Sequence, residues 1–198
     1  MEKCPICEDS RWEHTNSEGT DDVEDDTGGV KKKKVPRKIL RYFPLILRLQ
    51  KLYMNDTTLA YMCWHKEELA KDDKVRHSAN SLVWKHVNDT YEDFAMDPHN
   101  VRLGLASDGF NPFGMLNVTY TTWPVILIPY NLPFWLCSKQ SYWMMSMLIP
   151  GPKSQGININ VYLQPLIDEL KELWVNEVDA WDAKEKKNLL YVQCYFGQ

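Results

Sequence analysis

Asn100-Val101-Arg102-Leu103-Gly104-Leu105-Ala106-Ser107-Asp108-Gly109-Phe110-Asn111-Pro112-Phe113 runs from apolar residues into an Asp-Gly pair and a proline. A short apolar run bounded by turn formers reads as a buried β-strand. One carboxylate, Asp108, stands where that strand ends. Gly109 follows and Pro112 stops continuation, so the chain is expected to turn there. A carboxylate fixed at the end of a buried strand can hold a divalent metal, since hard oxygen ligands suit Mg²⁺. Asp-Gly is also a common tight-turn dipeptide, so a plain turn stands beside the metal reading.

Downstream, residues 101–195 spell strand, strand, strand, helix, strand. The first strand ends at Asp108. The second is Thr119 to Pro129, rich in Thr, Tyr, Val and Ile. The third is Tyr142 to Ile149, dense in aromatics and methionine. A helix from about Asn160 to Trp174 carries Val161, Leu163, Leu166, Ile167, Leu170 and Leu173 at helical spacing. Asp168 and Glu169 in its middle read as surface charges. An acidic linker over 176–187 then leads to a fourth strand over Leu189–Tyr195. The fold class expected is α/β.

Upstream, a helical region is predicted over 36–98. Pro36 opens a run of apolar residues at helical spacing through Tyr53, which Pro44 must kink or divide. Asp56-Thr57-Thr58 reads as the cap of a helix ending in charge, with His65 and Glu67 on its exposed face. Ser81 is a cap for a helix to about residue 92, with Trp84 as a core anchor. His77, His86 and His99 have no regular metal spacing.

The first thirty residues carry ten acidic side chains against Lys3 and Arg11, whereas residues 31–51 carry nine basic ones and no acid. The segment 15–35 has nothing to fill a core and is expected to be a disordered charged linker. Lys31, Lys32, Lys33, Lys34, Arg37, Lys38 and Arg41 form a basic block that can meet DNA phosphates or an import receptor, or simply be solvated. Within residues 1–14, Cys4 and Cys7 have the C-x₂-C spacing that places two thiolates on one zinc, but they supply half of a tetrahedral shell. Five cysteines in no repeating frame do not make a disulfide scaffold, which suggests a reducing compartment. No stretch of eighteen apolar residues exists, so no membrane role is expected.

Four blocks occur in order: Ser107-Asp108-Gly109-Phe110-Asn111-Pro112-Phe113, Trp123 to Pro133, Leu148 to Lys153, and Val161 to Leu170. Together they resemble the transposase of plant CACTA (En/Spm-type) DNA transposons. The likeness extends upstream to Trp64-His65-Lys66-Glu67, although Cys63 stands where such sequences usually have arginine. The resemblance implies a cut-and-paste transposase with a ribonuclease-H-like core over 99–198, using Mg²⁺ or Mn²⁺ and acting on transposon terminal repeats in the nucleus. It implies that Asp108 is the first of three acidic metal ligands, and that Cys4 and Cys7 are half of a zinc knuckle. The first and fourth strands of that fold lie side by side, so their carboxylates meet. Here no acidic residue follows Lys187, and the block expected after the fourth strand is absent from Gln193-Cys194-Tyr195-Phe196-Gly197-Gln198. One carboxylate cannot hold the two ions that this chemistry uses. The chain therefore reads as a transposase fragment, inactive unless further chain or a full-length subunit supplies the missing acids. The alternatives are a non-catalytic DNA-binding module and, given eight tryptophans and a net charge of -4, a protein-interaction domain.

Overall fold

The computed structural model describes residues 3, 8, 10–13, 23–24, 30–31, 35–67, 74–114, 120–151, 159–176, 178–184, 186–191 and 193–197. The chain divides into two compact units, Met1–Leu40 and Arg41–Gln198.

In the first unit, β1 (Val23–Glu24) pairs antiparallel with β2 (Val30–Lys31). Trp12 bridges Pro36, with the Glu13 amide donating to the Val35 carbonyl at 2.8 Å and the Arg37 amide to the Arg11 carbonyl at 2.9 Å. The stretch read as a linker thus contains one short antiparallel pair.

The second unit opens on β3 (Arg41–Tyr42), which the helical spacing of 36–53 concealed. Helix α1 begins only at Ile46 and ends at Tyr53, because Pro44 favours an extended chain before it. Helix α2 follows (Asp56–Glu67). Its cap is Asn55, whose Oδ1 accepts from the Thr57 and Thr58 amides at 3.0 and 3.2 Å, one residue before the expected position. A 3₁₀ turn at Ser78–Asn80 leads to α3 (Leu82–Thr90), capped as expected by Ser81 Oγ on the Trp84 amide at 3.2 Å. Helix α4 is Glu92–Met96.

Then come β4 (Val101–Ser107), β5 (Trp123–Pro129), the short α5 (Phe134–Cys137), a 3₁₀ turn at Gln140–Tyr142, and β6 (Met144–Ile149). Helix α6 is Ile159–Asn176. The acidic linker is instead a hairpin of β7 (Val178–Asp182) and β8 (Lys187–Tyr191). Val178, Ala180 and Asp182 alternate with exposed residues at the period of a strand. Asp182 is buried and closes the turn, its Oδ1 accepting from the Lys184 amide at 2.7 Å. The expected fourth strand splits accordingly: Leu189–Tyr191 belong to β8, and β9 is Gln193–Gly197.

The main sheet has the order β3-β6-β5-β4-β9. All its pairs are antiparallel except β4 with β9, which is parallel. Val101, Leu103, Val125, Leu127, Met147 and Ile149 are fully buried along its inner strands. Burial of each such side chain stabilises by about 1.5–3 kcal/mol. Helix α6 packs across β6 and β9 through a stripe that includes the buried Leu166 and Leu173. Helices α1 and α2 pack together through Leu49, Tyr53, Leu59 and Met62.

Candidate functional site: the carboxyl end of the central strand

Strand β4 is held rigidly. Its Arg102 amide donates to Asn131 Oδ1 at 2.7 Å, and the Arg102 guanidinium donates to Asn88 Oδ1 at 2.7 Å. That guanidinium is buried, with its carbon 4.2 Å from the Trp84 ring centre and 4.6 Å from that of Phe94. Flat cation on aromatic face is a favourable packing that also shields the charge. Trp84 is the core anchor expected, and its buried partner is a charge that the apolar pattern did not announce. Gly104 is required by close approach: a Cβ there would lie 2.3–2.4 Å from the Tyr130 ring.

Asp108 follows the last residue of β4 and is exposed. The chain does not turn back there. The register Ser107↔Val125 continues to a bridge of Phe110 with Thr122, whose amides donate to each other's carbonyls at 3.0 and 2.8 Å. Asp108 thus stands opposite Pro124. Proline has no N–H to offer the Asp108 carbonyl, so the ladder lapses for two residues and resumes. Gly109 sits against the Trp123 ring, where a Cβ would come within 2.7 Å. The Asp-Gly pair is therefore a gap in an extended ladder, not a tight turn. The Gly109 amide donates to Asp108 Oδ1 at 2.7 Å, which orients the carboxylate.

The neighbour of β4 on its other side is β9, running parallel with Leu105 beside Gly197. The carboxyl ends of both strands therefore point the same way. No carboxylate occurs from Gln193 to Gly197. Among the described residues, no three His, Cys, Asp or Glu side chains gather in a way that would hold a metal ion. A carboxylate oxygen suits Mg²⁺ or Mn²⁺, but a single one is not a binding site. The donor chemistry fits those ions and the donor count does not.

The other expected residues fare variously. Cys4, Cys7, Lys32, Lys33 and Lys34 lie outside the described residues. Lys31 pairs with Val23 through its backbone, and Arg37, Lys38 and Arg41 are exposed. Asp168 is an exposed charge that accepts from Gln164 Nε2 at 2.7 Å. Glu169 is not a surface charge. Its Oε1 accepts from the Leu45 and Ile46 amides at 2.7 and 3.1 Å, and its Oε2 from the Tyr42 hydroxyl. It caps α1 from a distant helix, a long-range contact that local sequence does not encode.

His65 is not on an exposed face either. It packs edge-on to Trp84 at 5.3 Å, and burial together with the Arg102 charge lowers its pKa to about 4. His77 is buried, its Nδ1 accepting from the Ala79 amide at 3.1 Å. His99 pairs with Asp97 Oδ1 at 2.7 Å, and this bond with a second to the Cys63 sulfur raises its pKa to about 10. His65, His77 and His99 thus each have a local partner. The sequence reading also passed over two exposed rings two and five residues beyond Asp108, Phe110 and Phe113.

Residues 72–194 match the sequence profile of the transposase family tnp2. The match spans more than half of the chain. The chain belongs to the tnp2 transposase family. The tnp2 match takes in α3, β4, β5, β6, α6 and Asp108, and leaves the basic block and the cysteine pair outside it. No curated protein matches this tnp2 chain. No helix among its described residues is long and apolar enough to cross a membrane.

Proposed function

We propose that this tnp2 chain contributes the first acidic ligand, Asp108, to the catalytic centre of a cut-and-paste DNA transposase of CACTA (En/Spm) type built on a ribonuclease-H-like core. The observation that carries the reading is the parallel pairing of β4 with β9 beside that carboxylate. A strand order in which the first three strands are antiparallel and the fourth returns parallel to the first supports the fold assignment. A pair of Mg²⁺ or Mn²⁺ ions there would supply charge stabilisation at the scissile phosphate. The chain's own part is positional. Buried β4 fixes the backbone, and the Gly109 amide aims the carboxylate.

Strand β9 brings no acid between Gln193 and Gly197, so the remaining ligands come from another segment or from a full-length transposase subunit. On this reading, cleavage of DNA carrying transposon terminal repeats requires acidic ligands that the β4–β9 pair does not supply. Mixed with an active full-length subunit, the chain is expected to join the complex and alter excision. The test compares excision with wild type and Asp108→Asn in such mixtures. An equal effect of both would remove Asp108 from the chemistry.

A second reading, DNA binding without catalysis, is favoured by the exposed Arg37, Lys38 and Arg41, which follow the lysine run in the sequence. On this reading retention on DNA persists in EDTA and falls steeply with salt, by about 0.9 in log K per log salt for each phosphate neutralised. The lysine run would also serve nuclear import. Failure to retain DNA even at low salt would favour a protein-interaction role instead.

A further inference from the structure

We propose that Phe110 and Phe113, beside Asp108, form a stacking platform for unpaired bases of the DNA held at that carboxylate. The proposal rests on the reading of Asp108 given above and names a feature of its substrate. The two rings are 51% and 59% exposed, although they lie two and five residues from Asp108. Their backbones are fixed. Phe110 is locked to Thr122 by amide bonds in both directions, and the Phe113 amide donates to Asn111 Oδ1 at 2.9 Å. Phe113 also stands edge-on to Tyr120, with ring centres 5.4 Å apart. The rings are thus presented in place before any partner arrives, which lowers the entropic cost of binding.

The occupant follows from the family: residues 72–194, which contain both rings, match a transposase, a class of protein that acts on DNA. Asn111 and Pro112 separate the two rings along the chain. A separated flat ring accepts the face of any base and needs no hydrogen-bond code. Base stacking on such rings requires the base to be unpaired, and strand cleavage near a terminus is where pairing is most easily opened. The ligand class is therefore DNA with a short unpaired segment next to the scissile phosphate, not blunt duplex.

The test uses the full chain in EDTA, so that metal plays no part. Two DNA probes are compared, a blunt terminal-repeat duplex and the same duplex with a three-nucleotide unpaired flank containing 2-aminopurine. The wild type should prefer the flanked probe on the order of tenfold per stacked base and quench its fluorescence. Phe110→Ser with Phe113→Ser should lose both preference and quenching, whereas Phe110→Tyr with Phe113→Tyr should keep them. Asp108→Asn should keep them too. No preference in the wild type, no binding of either probe, or a preference that survives the serine changes would overturn the proposal. Metal-dependent excision that survives Asp108→Asn would overturn the catalytic reading instead, and the EDTA measurement is independent of it.

Discussion

Glu169 lies mid-way along α6, and by sequence it is one charge among several on an amphipathic helix. In the fold it accepts the first free amides of α1 and the Tyr42 hydroxyl. The amides at a helix start have no partner within the helix, so a carboxylate there is favoured twice, by hydrogen bonding and by the helix dipole. Glu169→Ala leaves three donors without their acceptor. It should destabilise the chain by about 1–3 kcal/mol in urea unfolding, and Glu169→Gln by less. A neutral Glu169→Ala would mean that water replaces the carboxylate at no cost. Two histidines oppose each other in their response to pH. His99 has its pKa raised to about 10, so the stability it contributes is full below its ordinary 6.5 and is lost as pH rises toward 10. His65 has its pKa lowered to about 4, so the stability linked to it is present above 6.5 and is lost as pH falls toward 4. The two windows meet near pH 6.5, where the melting temperature should peak. Asp97→Asn should move the His99 NMR titration down toward 6.5 and flatten the alkaline side of the curve. An unchanged His99 titration would contradict the pairing.

At the scale of elements, apolar and β-prone runs placed β4, β5 and β6, the Ser81 cap placed α3, and helical spacing placed α6, each to within a few residues. These elements bury one face or stripe, and burial is what periodicity reports. The misses have specific causes. The two residues of β3 are too few to show alternation, and they were absorbed into the apolar run of α1. The β7–β8 hairpin was hidden because the acid that closes it, Asp182, resembles solvated charge. Asp108-Gly109 reads as a turn by composition, yet Pro124 on the facing strand explains the local gap, and Pro124 lies outside any short window around Asp108. Gly104 gives a direct check on the central strand. A methyl group there meets the Tyr130 ring at 2.3–2.4 Å, so Gly104→Ala should cost about 1–3 kcal/mol. Tyr130→Ala in the same chain should relieve part of that cost. Additive effects of the two changes would show that ring and glycine do not meet.

For the whole molecule, the transposase family was legible because its blocks keep their order along the chain, and the profile match to residues 72–194 agrees. The adjacency of the first and fourth strands was also anticipated, and β4 does pair in parallel with β9. A complete metal site was not legible, since the described residues gather no set of ligands around Asp108. The proposed function puts a divalent ion and DNA at the carboxyl end of β4. Localised hydroxyl-radical cleavage measures this without requiring catalysis. Fe²⁺ replaces Mg²⁺ in the mixed complex of this chain, end-labelled, with a full-length transposase subunit on terminal-repeat DNA, and ascorbate with peroxide then cuts the labelled backbone beside the ion. Scission centred on Asp108 is expected, and it should disappear in Asp108→Asn. Scission elsewhere, or scission at residue 108 that persists in the variant, would contradict it.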